Sequence, residues 1–82
     1  MNRSAKSGPA TPYPHLWRWV SEFGAVEIGH CRETRSFIRV LDEGGLIWKG
    51  RRGYPTLDAA LADAERAVAR WMKDQLGITD AA

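Results

Sequence analysis

The sequence predicts an α+β fold: an antiparallel β-meander of three to four strands, then one C-terminal α-helix packed on one face, in a two-layer sandwich of order β-β-β-β-α. Three observations carry this expectation. From Leu57 to Met72 the apolar residues recur at i, i+3, i+4 and i+7, the spacing of one helical face. From Leu16 to Arg51 the period falls to two, broken by turn-forming residues. When the short segments are laid side by side as a meander, one parity collects uncharged apolar residues and the other a charge on every segment.

At 82 residues the chain is expected to be one domain, near the size at which a single core is only just sufficient. Four tryptophans make up for a thin aliphatic complement, each able to bury on the order of 150–250 Å². The division expected is a flexible N-terminal tail over 1–14, one domain over 15–77 and a short C-terminal tail over 78–82. The tail MNRSAKSGPATP has almost nothing apolar to bury and no signal-peptide core. A single cysteine excludes an internal disulfide and a Cys-based zinc site. With no apolar run near the ~18 residues of a membrane span, a cytoplasmic, bacterial-type protein without membrane association is expected.

Four strands are read in order, Leu16–Glu22, Ala25–Cys31, Ser36–Leu41 and Leu46–Arg51. Phe23-Gly24, Arg32–Arg35 and Asp42-Glu43-Gly44-Gly45 form the hairpin connections between them. The alternative for the first segment is a helix, because Pro14 suits the first helical position and Leu16, Val20 and Phe23 share a helical face. That helix would turn Trp19 away from the core, which favours the strand. In the strand reading Trp17, Trp19, Val26, Ile28, Ile38, Val40, Leu46 and Trp48 form the inner face. Arg18, Glu27, Arg39 and Lys49 form a charged row on the outer one, with Glu27 able to pair with the arginine of a neighbouring strand.

The helix is the firmest element. Leu57, Ala60, Leu61, Ala64, Val68, Trp71 and Met72 fall on one side; Asp63, Arg66, Arg70, Lys73 and Asp74 fall on the other. Thr56 is the expected N-cap, Asp58 the first-turn acid, Lys73 the late cation and Gly77 the residue past the end.

Charge argues against a dedicated nucleic-acid binder. The formal net charge of +2 divides into Arg3 and Lys6 in the tail, a mildly basic stretch from Leu16 to Pro55 and a mildly acidic one from Thr56 to the end. No catalytic constellation is present, so the chain is not expected to be an enzyme, and no metal or cofactor is expected. His30 and Cys31 are neighbours, which a strand points to opposite faces, and Asp42-Glu43 beside Gly44-Gly45 reads as a turn.

Two functional classes follow. The favoured one is a small non-catalytic interaction or regulatory module, self-associating or meeting a small protein partner. It would use an outer face where Phe37, Leu41 and Ile47 lie among the compensated charges of Glu27 and Arg39. The alternative is weak binding of nucleic acid or a phosphate ligand through Arg18, Lys49, Arg51 and Arg52. The last two stand in a GRRG loop that leads into the helix N-terminus.

The stretch SFIRVLDEGGLIWKG followed by YPTLDAALADAERAVARWM resembles the strand–strand–helix half of HicB-type antitoxin N-terminal domains. In those domains a threonine caps a helix of the form TLEEALxxAxEAI after a short meander. Thr56, Leu57, Ala60, Leu61, Ala64, Ala67 and Val68 match that pattern over about Ser36–Met72. The chain departs from the family before the last strand, where DEGGLIW stands in place of a PDLPGC-like segment. The resemblance implies the fold and a protein-partner role; operator binding is not implied, because the DNA-binding part has no counterpart here.

Overall fold

Thr56 starts the long helix as its residue type demands. Its Oγ1 accepts the N–H of Ala59 at 3.0 Å, Asp58 sits in the first turn, and Leu57–Trp71 follow as α-helix. The helix then loosens into a π-helical turn, Met72–Leu76, and Gly77 ends it at φ +71°, the left-handed conformation that favours glycine. We label this helix α2. The computed structural model describes residues 11–77. The rest of the two expected tails lies outside the described residues.

The elements run α1 (Pro14–Arg18, continued by a π-helical turn Trp19–Phe23), β1 (Ala25–Cys31), β2 (Ser36–Asp42), β3 (Gly45–Lys49) and α2. The sheet is antiparallel in the order β1-β2-β3, so the α+β class and the meander are present. The fourth strand is not: Leu16–Glu22 is helical, and the order is α-β-β-β-α. The domain also begins earlier than expected. Tyr13 packs against the core and donates its phenol O–H to Asp58 at 3.1 Å, so residues 11–14 belong to the fold and not to the tail.

The reason for the first correction lies far along the chain. Tyr13, at the N-cap of α1, offers no side-chain cap; the cap comes from Glu65 on α2. Its carboxylate accepts the N–H of His15 at 3.0 Å and of Leu16 at 2.9 Å, and its Oε2 lies 2.5 Å from Nδ1 of His15. Two of the otherwise unpaired donors of a helix start are thereby satisfied by an anion placed where the helix dipole favours one. The inward face of this helix is Leu16, Trp19 and Phe23, not Leu16, Val20 and Phe23. Trp19 is 1 % exposed and donates its indole N–H to the carbonyl of Leu41 at 2.9 Å.

The core joins the three parts: Leu16 and Trp19 from α1, Ile38 and Val40 from β2, and Ala60, Ala64, Val68 and Met72 from α2. The small residues Ala60 and Ala64 let α1 and β2 approach α2 closely. Trp71 stands edge-on to Trp19, with centroids 5.3 Å apart and planes at 86°. Ile38 and Val40 are therefore inner-face residues as expected. Trp17, Ile28 and Leu46 are corrections, because all three are about half exposed. A bulge between Val40 and Leu41 sets Leu46 opposite Leu41, which slips it off the inner parity.

Candidate interaction surface

The expected outer row survives for three of its four charges. The register sets Glu27 opposite Arg39 and Arg39 opposite Lys49, and Arg39 Nε donates to Glu27 Oε1 at 3.0 Å. Arg18 is absent from the row because it rides on α1, where it pairs with Glu22 at 3.5 Å. Arg39 is not the accessible contact residue that its parity implied. Its Nη1 donates to the carbonyls of Gly29 and Ser36 at 3.0 and 2.8 Å and to Ser36 Oγ at 3.2 Å, and only 7 % of it is exposed. A buried guanidinium needs that many acceptors. Arg39 thus fastens the bulge at Gly29 (φ +126°) to the start of β2.

The three apolar members of that face are half-buried. Phe37 packs on the Tyr54 ring at 6.2 Å, and Leu41 and Ile47 are similarly covered. The basic candidates are scattered and engaged. Lys49 Nζ donates to the Thr34 carbonyl at 3.1 Å, and Arg51 lies over the Tyr54 ring at 4.5 Å. Among the described residues Arg52 alone of the four is exposed with no contact from its side chain. Two of the loop amides that an anion could use are spent within the fold. Gly50 N–H goes to the Ile38 carbonyl and Arg51 N–H to the Tyr54 phenol oxygen. That phenol in turn donates to Asp63 at 2.6 Å, and burial followed by the Asp63 bond raises its pKa. A carboxylate at this position works against a phosphate.

The β1 bulge falls between Ile28 and Cys31, so His30 and Cys31 sit in irregular strand. The Cys31 thiol pKa is lowered chiefly by the Thr34 side-chain hydrogen bond and secondly by the Thr34 backbone one, with Glu33 Oε1 at 3.5 Å. Among the described residues no group of three or more His, Cys, Asp or Glu is placed to hold a metal ion. No helix among them is long and apolar enough to cross a membrane.

The exposed apolar surface lies elsewhere, along β1 and α1. Ile28 pairs with Ile38 on the helix side of the sheet, yet the helices cover Ile38 completely and leave Ile28 49 % exposed. Trp17 and Val20 of the α1 segment are 50 % and 45 % exposed. Together with Val26 and Leu61 these three surround a depression of about 220 Å³ that no charged side chain lines. β1 is an edge strand: within the described residues its far side pairs with no other strand. Three large half-exposed apolar side chains around one depression, beside an unpaired strand edge, form the kind of surface that contacts another chain. Sequence reading missed it because Trp17 and Ile28 carried the parity of the core.

Comparison with family models, with characterised proteins and with solved structures finds no match to this chain.

Proposed function

We propose that this protein is a small interaction module that works by protein contact without catalysis of its own, and that its first partner is a second copy of itself. The observation that carries the reading is the depression ringed by Trp17, Val20 and Ile28 beside the unpaired edge of β1. Its uncharged lining is what favours a second copy. A two-fold interface brings a patch against itself, so any net charge in it would face its like; an uncharged apolar patch meets itself without that cost. The edge of β1 suits the same symmetry, since two copies of one strand related by a two-fold axis run antiparallel and would extend the three-stranded sheet to six. The resemblance of the β2–α2 half to HicB-type antitoxin domains supports a regulatory role through protein contact.

The reading differs from an interface on the outer face in where it places the contact. A dilution series followed by amide and indole N–H chemical shifts distinguishes them. Contact through the depression moves the Trp17 indole, Val20 and Ile28 signals with concentration and leaves Phe37, Leu41 and Ile47 still. Shifts concentrated at Phe37, Leu41 and Ile47 would return the contact to the outer face, and no concentration dependence would end self-association altogether.

A further inference from the structure

The β2–β3 turn and the far end of α2 meet around a second cavity, of about 260 Å³. Three aromatic rings line it: Trp19, which is buried, and Phe23 and Trp71, both half-buried. Phe23 lies 5.4 Å from Trp19 with planes tilted by 30°, whereas Trp71 meets Trp19 at 86°. Phe23 and Trp71 therefore bound the cavity at a steep angle to one another. Leu76, Asp42 and Glu43 complete the lining, and no basic side chain takes part.

Among the described residues neither acid has an ion-pair partner. Asp42 Oδ1 accepts the Gly44 N–H at 2.8 Å, and Glu43 is exposed with no contact to another side chain. The ring quadrupoles and the carboxylates thus act in the same direction, toward a positive charge. One ring already engages a cation: the Arg18 guanidinium carbon lies 5.8 Å from the Phe23 centroid. A hard metal ion is the wrong guest, since it demands six or more oxygen ligands or near-ideal octahedral geometry. A bare ammonium keeps its water more tightly than apolar walls allow. A methylated ammonium presents an apolar shell to the rings and a diffuse charge to the acids. The volume, below the roughly 300–1,000 Å³ of drug-sized pockets, suits one such headgroup.

We infer that this aromatic corner binds a quaternary ammonium group, as carried by a trimethylated lysine side chain or by a free choline-type headgroup. The inference does not depend on self-association through β1, and it fails or stands separately.

The test is a titration of the full chain at constant ionic strength, read on the indole N–H signals of Trp19 and Trp71. Its ligands are choline, the amide of trimethyl-lysine, and 3,3-dimethylbutan-1-ol, the uncharged isostere of choline. The expected result is saturable shifts with both cations, binding at least about tenfold weaker for the alcohol, and a three- to tenfold loss in Glu43→Gln. The tighter of the two cations identifies the source of the headgroup. Glu43 is exposed in a turn, so its substitution leaves the fold in place, and unchanged circular dichroism verifies this. Equal binding of the alcohol, an absence of saturation with either cation, or Glu43→Gln binding like the wild type would overturn the assignment.

Discussion

Glu65 caps the first helix of the chain from the middle of the last one, its Oε1 accepting the Leu16 N–H at 2.9 Å and its Oε2 the His15 N–H at 3.0 Å. The bond crosses 49 residues and makes α1 conditional on α2. Glu65→Ala removes both acceptors, and loss of a cap costs about 0.5–2 kcal/mol. In a domain of this size the melting temperature should fall by roughly 2–16 °C. Glu65→Gln keeps one acceptor oxygen and should lose less. Equal losses for the two variants would assign the effect to packing and not to capping.

The tryptophans of the WRW stretch separate in structure although they share a parity in sequence. Trp19 is buried beneath Trp71 and bonded to Leu41, while Trp17 rims the groove. Trp19→Ala should cost about 3–5 kcal/mol in urea unfolding, a large share of a small domain's stability. Trp17→Ala should stay within about 0.5 kcal/mol in the monomer. Similar costs for both would mean that the segment is a strand with both rings inward.

Two glycines are held by close approach and a third is not. A Cβ on Gly24 would stand 1.9 Å from the Leu41 carbonyl oxygen, and one on Gly50 would stand 2.3 Å from Tyr54 Oη and 2.7 Å from Ile38 Cγ2. A Cβ on Gly53 would meet no described residue beyond its chain neighbours within 4 Å. Gly24→Ala and Gly50→Ala should destabilise by more than about 1 kcal/mol, and Gly53→Ala should be neutral or slightly stabilising. Thermal melts of the three variants check the order.

Burial, and secondly the bond donated to Asp63, raise the Tyr54 phenol pKa above the usual 10.0. A group whose pKa is raised by folding stabilises the fold in full below its unfolded pKa and stops doing so as pH climbs through the folded one. Stability should therefore hold up to about pH 10 and decline above it. Tyr54→Phe should flatten that decline, leaving the share of Tyr13, whose phenol is raised by burial and the Asp58 bond. A pH profile of melting temperature that is unaltered in Tyr54→Phe would contradict this origin.

Helix α2 was legible because every signal for it is local: the Thr56 cap, the apolar stripe and Gly77 lie within the element or at its ends. β1 and β2 were legible for the same reason, with Glu27 facing Arg39 as the alternation implied. The first segment was not, because WRWV alternates as a strand does and its helix cap is Glu65, 50 residues from His15. The interaction surface was displaced by two effects that parity does not carry. Bulges at Gly29 and in β3 shift side chains along the edges, and the helices stop short of Ile28. Arg39 shows the same limit: its position was readable, but its burial depends on the backbone of Gly29 and Ser36.

The most direct test of an interaction module built on β1 is the solution mass of the full chain by sedimentation equilibrium, from low micromolar to several hundred micromolar. Association through the groove requires a mass that rises from 9.2 kDa toward twice that value. Ile28→Glu, which places a carboxylate in the otherwise uncharged patch and opposite its like across the two-fold axis, should stay at the monomer mass with unchanged circular dichroism. A wild type that remains at 9.2 kDa throughout, or an Ile28→Glu variant that associates as the wild type does, would contradict it.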